Sequence, residues 1–238
     1  MLKAKNAVEP AAEPHEAFAV MLRKNAPFPA SAPRNDPAVL GPAIFQFVSQ
    51  SLVGPFGLHP ETLFAALGAL AGYAAKWAVA VDAAEGLCPN DFRFEKAAWG
   101  GTLVFSDQVL KLVGGRSGES VLSIVLAAAA RNGGNSLSVL DDLSGRIILP
   151  GPVNAMPDYS VGEAHYPQFA PEALLLMLWE NVSRFFKHDG SGRQTIALAA
   201  AYAGAYAVST YRDRYKAEVS AALIIETAMA MSKIDRAF

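Results

Sequence analysis

The loop KHDGSGRQT, residues 187–195, holds the residue types most suited to binding an anion. His188 precedes a Gly-Ser-Gly stretch that includes Ser191 and Gly192, and Arg193 comes directly before an alanine-rich segment. Backbone N–H groups at a helix start, together with the helix dipole, attract negative charge. Arg193 opposes that dipole, so a carboxylate of the fold or a bound phosphate or carboxylate would relieve the conflict. The simpler interpretation is an interhelical turn whose arginine meets solvent or a nearby carboxylate. The competing hypothesis is a small anionic ligand at His188, Ser191, Gly192 and Arg193.

Two charged residues stand alone in apolar helical segments. Glu226 lies in AALIIETAMAM, where both faces of the predicted helix are apolar, and Lys76 is similarly isolated. Burying a charge without a partner is costly. Each residue therefore either marks a narrow strip that faces solvent, which is the simpler interpretation, or meets an opposite charge or hydrogen-bonding group in the interior. In the second case, Glu226 could act as an acid or a base.

The sequence carries none of the short motifs that announce a nucleotide, a metal or a nucleophile. No Gly-Lys-Ser/Thr follows the glycines of the 187–195 loop, and His-Glu-x-x-His, Glu-x-x-His and Gly-x-Ser-x-Gly do not occur. The one local group of metal-ligand side chains, Asp158, Glu163 and His165, lies in a loop and makes a poor site. We therefore predict no metal and no cofactor. The single cysteine, Cys88, excludes an internal disulfide and agrees with a reducing compartment.

Composition and charge limit the partners. The chain is 52% hydrophobic with a net charge of -2, which gives no reason to expect nucleic acid or anionic lipid. The most basic stretch, YRDRYK at 211–216, is interpreted as a solvated helix start. The apolar run at 63–81 is long enough to span a bilayer, but it is mostly Ala and Gly and contains Lys76. We expect a soluble, cytoplasmic protein with neither a membrane nor a nucleic-acid partner.

The elements that must position these residues are mainly helices. Proline spacing makes residues 1–37 an N-terminal arm and Pro-rich linker, and residues 38–238 a single helical domain. Helical periodicity predicts long helices at about 38–53, 60–84, 171–187, 193–209 and 211–236, and shorter ones near 106–113, 119–131 and 137–143. The segment at about 60–84 is the expected central apolar helix, because its apolar stripe is wider than a normal amphipathic face. Within it, Gly68 and Gly72 predict close packing of another helix.

Two stretches break the helical pattern. The sequence FRFEKAAWGGTLVF, at about 92–105, predicts one small β-hairpin, because alternating residues flank a glycine-containing turn. We expect this hairpin to pack on helices or to pair with a second hairpin across a dimer axis. The proline-rich stretch 144–170 is longer than a simple connection should be, which is typical of functional or mobile loops.

The fold prediction is a mainly α, single multi-helix domain around the central helix. The expected partners are a second copy of the chain, in a homodimer, and a small anionic ligand. The predicted function is a non-catalytic binding or interaction module. The alternative is an enzyme that acts on an anionic small molecule, with Arg193 as anchor and His188 or Glu226 as the acid or base. A deep pocket that joins these residues would favour the enzyme.

Overall fold

Eight α-helices and one two-stranded antiparallel sheet form the part of the chain that the computed structural model describes. That part comprises residues 36–116, 118–143, 148–150, 152, 155–189 and 192–235, with the side chains of 187–189 excluded. The helices are α1 (Pro37–Ser51), α2 (Pro60–Ala84), α3 (Asp107–Gly114), α4 (Val121–Arg131), α5 (Ser136–Leu143), α6 (Pro171–Asp189), α7 (Arg193–Thr210) and α8 (Ala217–Met231). The strands are β1 (Arg93–Lys96) and β2 (Thr102–Phe105), between α2 and α3. The predicted mainly α fold with one hairpin is confirmed, whereas residues 1–35 of the predicted arm lie outside the described residues.

The central helix is α2, as the sequence predicts. Every residue from Glu61 to Ala75 is buried, and α6, α7 and α8 pack around this part of the helix. By length and composition α2 could also cross a membrane, and within the described chain it is the one helix that meets this test. However, 78% of its most apolar 18-residue segment is buried inside the protein, which is typical of a core helix.

Close packing between α2 and α8 depends on the two glycines of α2. A Cβ atom on Gly68 would lie 2.3 Å from the carbonyl oxygen of Ile224, and one on Gly72 would lie 2.0 Å from that of Ala228. Both distances are shorter than any real Cβ contact, so only glycine allows the backbones to approach this closely. The contacts advance in the same direction along both helices, which therefore run parallel. The glycine pair serves packing within the chain, as predicted.

The hairpin packs on the carboxyl end of α8. Arg93 pairs with Phe105 and Lys96 with Thr102, and the turn between the strands includes a glycine with φ of 90°. On the other edge of β2, the Val104 N–H donates to the carbonyl of Lys233 (2.9 Å). The residues that follow α8 are thus held against the sheet, and the hairpin packs against the rest of the chain.

The basic stretch 211–216 is a turn rather than the predicted helix start, because α8 begins only at Ala217. The Tyr215 N–H donates to the carbonyl of Tyr211 (2.9 Å), and both rings make edge contacts with Phe64 of α2, with centroids 5.9 and 5.8 Å away. Packing of these two aromatic rings on Phe64 stabilises the turn.

Candidate functional site

The predicted anion loop places its arginine against carboxylates. Arg193 begins α7, and its guanidinium donates to Asp82 (2.8 Å) and to Glu85 (2.6 Å) at the end of α2. The hydrogen bond to Asp82, followed by that to Glu85, raises the pKa of Arg193. Gly192 is the N-cap and provides no side-chain cap.

The loop opens onto a shallow depression of about 420 Å³, lined by Asp82, Gly192, Arg193, Gln194 and Thr195. Two carboxylates facing one guanidinium leave an excess of negative charge, so an outside anion would have to compete with groups already in place. This arrangement agrees with the interhelical turn that the sequence favours. Ser191 and the side chain of His188 lie outside the described residues.

Glu226 is completely buried, with 0% of its surface exposed. The solvent-facing strip favoured from the sequence is therefore wrong for this residue. One carboxylate oxygen accepts the N–H of Ser160 (2.9 Å), and the neighbouring Thr227 hydroxyl is bonded to the Tyr159 hydroxyl (3.0 Å). Burial raises the pKa of Tyr159, as does the charge of Glu226 to a smaller extent. The side chain of Glu226 is therefore closed to solvent in this conformation.

The segment that covers Glu226, residues 155–170, is called the strap here. It is bonded to α8 at Ser160, and at His165 it reaches a second buried carboxylate, Glu61 in the first turn of α2. Glu61 is 4% exposed and accepts a hydrogen bond from the Tyr215 hydroxyl (3.1 Å). The Nδ1 atom of His165 lies 3.4 Å from one of its oxygens, and that of His59 lies 3.6 Å from the other.

The Glu61 cluster is a junction of three parts of the chain that sequence reasoning did not bring together. The sequence places His165 only in a weak metal group, together with Asp158 and Glu163. In the structure His165 turns toward Glu61, and the part of the chain described holds no group of three or more His, Cys, Asp or Glu side chains arranged for a metal ion. The strap is bonded again at Thr62, whose hydroxyl accepts the Gln168 N–H (2.9 Å). The cluster therefore holds the strap against the core.

A partly open apolar cavity of about 300 Å³ lies between the hairpin, α3 and the end of α8. Its apolar walls come from Val104, Phe105, Val109, Leu110, Val113, Leu143, Ile148 and Met229. Its polar wall residues are Arg93, Ser106, Asp107, Ser232 and Lys233. This combination of apolar walls and a few polar groups is typical of small-molecule sites.

Lys233 is the half-buried charge in this cavity. Its ammonium donates to the carbonyl oxygens of Ile148 (2.8 Å) and Met229 (3.0 Å), and no carboxylate of the described residues forms an ion pair with it. Desolvation lowers the pKa of Lys233 to about 8. A lysine held by two carbonyls in an apolar wall is partly satisfied by hydrogen bonds, but its charge is not neutralised.

The rim of the cavity is built by the start of α3. Arg93 of β1 lies 3.3 Å from Asp107, and both side chains are exposed. Asp91 accepts the Ser106 hydroxyl (2.5 Å) and the N–H of Asp107 (2.8 Å), so its oxygens are already used to cap the helix. Among the charged side chains that line the cavity, the Arg93–Asp107 pair balances itself and Lys233 leaves one positive charge in excess.

Lys76 of α2 is bonded to the residue that follows Lys233. Its ammonium donates to the carbonyl of Ile234 (2.9 Å) and lies 4.8 Å from the ring centre of Tyr73. Desolvation lowers the pKa of Lys76, and the charge of Asp235 offsets part of that effect. A hydrogen-bonding group in the interior is one of the two options that the sequence leaves open for Lys76, and the backbone carbonyl of Ile234, next to Lys233, is such a group.

Comparison of the chain with protein-family models, curated proteins and solved structures finds no match to any of them. The Lys233 cavity combines apolar walls with a charge that has no ionic partner among the described residues.

Proposed function

We propose that this protein is a non-catalytic binding module for a small anionic ligand that has an apolar part, and that the ligand binds in the Lys233 cavity. The observation that carries the proposal is the half-buried Lys233 ammonium, which lies in an apolar wall with two carbonyl oxygens as its described partners. A carboxylate that entered the cavity would provide the missing negative charge.

The size and polarity of the cavity support a compact ligand. A volume of about 300 Å³ is at the lower end of the range for ligand sites. Eight apolar residues line it, so a short aliphatic chain would be removed from water while its carboxylate meets Lys233. The predicted 187–193 loop is a poorer candidate, because Arg193 already has two carboxylate partners.

The alternative enzyme receives no support from these contacts. A deep pocket that joins Arg193, His188 and Glu226 would favour it, but Glu226 is fully buried beneath the strap and the side chain of His188 lies outside the described residues. The homodimer and the cytoplasmic location expected from the sequence stay predictions. Light scattering of the purified full-length chain tests the first of them.

Calorimetric titration of the full-length chain with butanoate at pH 7 tests the proposal, and butanamide is the uncharged comparison. We expect saturable binding of butanoate, at least tenfold weaker binding of butanamide, and a similar loss for Lys233→Met. Lys111→Met removes an exposed lysine from α3 and is the matched control, which should bind butanoate like the wild type. Absence of saturable binding, or equal binding by Lys233→Met, would overturn the proposal.

A further inference from the structure

The position of the Lys233 amine makes it suited to more than charge pairing. A lysine nitrogen has three positions besides its bond to carbon, each of which holds an N–H group or, in the neutral amine, the lone pair. Two of the positions on Lys233 are directed at the carbonyl oxygens of Ile148 and Met229. No described residue uses the third position. Lys233 is also one of the residues that line the cavity. When the amine loses its proton while donating to both carbonyls, its lone pair occupies the third position.

We propose that Lys233 captures a small 2-oxo acid covalently, by forming an imine between Nζ and the ligand's carbonyl carbon. This inference rests on the proposed function, because it names the ligand class of the same cavity. An oxo acid combines the three features that the walls match: a short apolar chain for the aliphatic residues, a carbonyl for the amine, and a carboxylate for the excess positive charge.

The reaction needs no oxidant, reductant or metal. The Nζ lone pair attacks the carbonyl carbon, the carbonyl electron pair moves to oxygen, and a proton passes from nitrogen to that oxygen to give a carbinolamine. A proton from solvent is taken up by the hydroxyl group, and the nitrogen lone pair then forms the C=N bond while water leaves. One neutral amine, one carbonyl and one proton thus give one protonated imine and one water. The imine retains the positive charge next to the ligand's carboxylate.

Desolvation makes this amine available near neutral pH. With a pKa of about 8, about half of the Lys233 side chains are neutral at pH 8, whereas a lysine at 10.5 is neutral in only about 0.3% of molecules. Lysines in apolar surroundings are the ones that form such imines in proteins. A less basic amine is also a weaker nucleophile. We therefore expect imine formation at Lys233 to be at least tenfold faster than at exposed lysines, but not faster by the full ratio of the neutral fractions.

Reductive trapping tests the inference on the full-length protein. The protein is incubated with 2-oxobutanoate and cyanoborohydride at pH 8, and peptide mass spectrometry measures the rate at which each lysine gains the reduced adduct. We expect Lys233 to be labelled at least tenfold faster than Lys96 and Lys111, which are exposed. Excess butanoate should slow labelling at Lys233 only.

Measuring butanoate binding and adduct formation separately on the wild type distinguishes the inference from the proposed function. Arginine forms no stable imine, so the variant Lys233→Arg should lose the fast adduct. Butanoate binding by the wild type without preferential labelling of Lys233 would overturn the covalent capture and leave the proposed function standing. If the wild type shows neither butanoate binding nor fast labelling of Lys233, the proposed function and the covalent capture are both overturned. Equal labelling of Lys233, Lys96 and Lys111 would overturn the covalent capture. Fast labelling by butanal but not by 2-oxobutanoate would overturn the choice of an oxo acid.

Discussion

Replacing Lys233 by methionine tests the electrostatic basis of the cavity without any ligand. The wild-type ammonium lies in an apolar wall, and desolvation lowers its pKa from 10.5 to about 8. Methionine has a similar length and no charge. The free-energy cost of holding a charged, desolvated ammonium in the folded protein should therefore be absent from Lys233→Met. The variant also lacks the hydrogen bonds to Ile148 and Met229.

The sign and size of the effect follow from linkage. Between pH 8 and pH 10.5 the unfolded chain binds more protons at Lys233 than the folded protein does, so the free energy of unfolding rises with pH in this window. At pH 7 the desolvated charge costs the folded state about 3 kcal/mol, and at pH 10 about 1 kcal/mol remains. The wild type should therefore gain about 2 kcal/mol relative to Lys233→Met between these two pH values.

Urea unfolding curves at half-unit intervals from pH 7 to pH 10 provide the measurement. The series stops at pH 10 because burial raises the pKa of Tyr159, and ionisation of this tyrosine in the unfolded chain then lowers stability. Lys111→Met, at an exposed position, is the control and should keep a constant difference from the wild type. A constant difference between the wild type and Lys233→Met would refute the reasoning, since it would mean that folding does not change the affinity of Lys233 for its proton.

Three further substitutions test the contacts that build the fold. Gly72→Ala should lower the free energy of unfolding by about 1–3 kcal/mol, because its Cβ would lie 2.0 Å from a carbonyl of α8. Gly114→Ala is the control in the same denaturation assay. Its Cβ meets only ordinary contacts, so the free energy of unfolding should change by less than about 0.5 kcal/mol. Tyr215→Phe removes the hydroxyl that donates to the buried carboxylate of α2 and should cost about 1–3 kcal/mol by thermal unfolding; Tyr211→Phe should cost little, because its hydroxyl has no partner among the described residues. Asp91→Ala should lower stability by about 1 kcal/mol at pH 7, and this difference should shrink below pH 3.8, because hydrogen bonding to Ser106 lowers the pKa of Asp91 in the folded state. Equal effects in either matched pair, or a pH-independent loss for Asp91→Ala, would contradict the corresponding contact.

The helices and the hairpin could be predicted from the sequence because their signals are local. The wide apolar stripe of α2, the glycine pair within it and the alternating residues around the hairpin turn each depend on residues a few positions apart. The stretch 211–216 could not be assigned this way, since its conformation depends on ring contacts with Phe64, about 150 residues earlier in the chain. Local propensity favours helix there, and packing of Tyr211 and Tyr215 overrides it.

The candidate site was hidden from the sequence for the same reason, and Lys233 is the clearest case. In the sequence it is one polar residue after an apolar helix, which normally indicates a solvated helix end. Its environment comes from elsewhere, because its backbone is bonded to β2 and its ammonium to the carbonyl of Ile148, 85 positions away. Glu226 makes the converse point: its apolar neighbours signalled that burial was an option, but only the fold reveals that the N–H of Ser160 is available to it. A charged residue in a buried apolar segment therefore needs a partner, and the tertiary structure determines which group that is. At Glu226 the protein itself provides a hydrogen-bond donor, whereas we propose that at Lys233 a ligand provides the opposite charge.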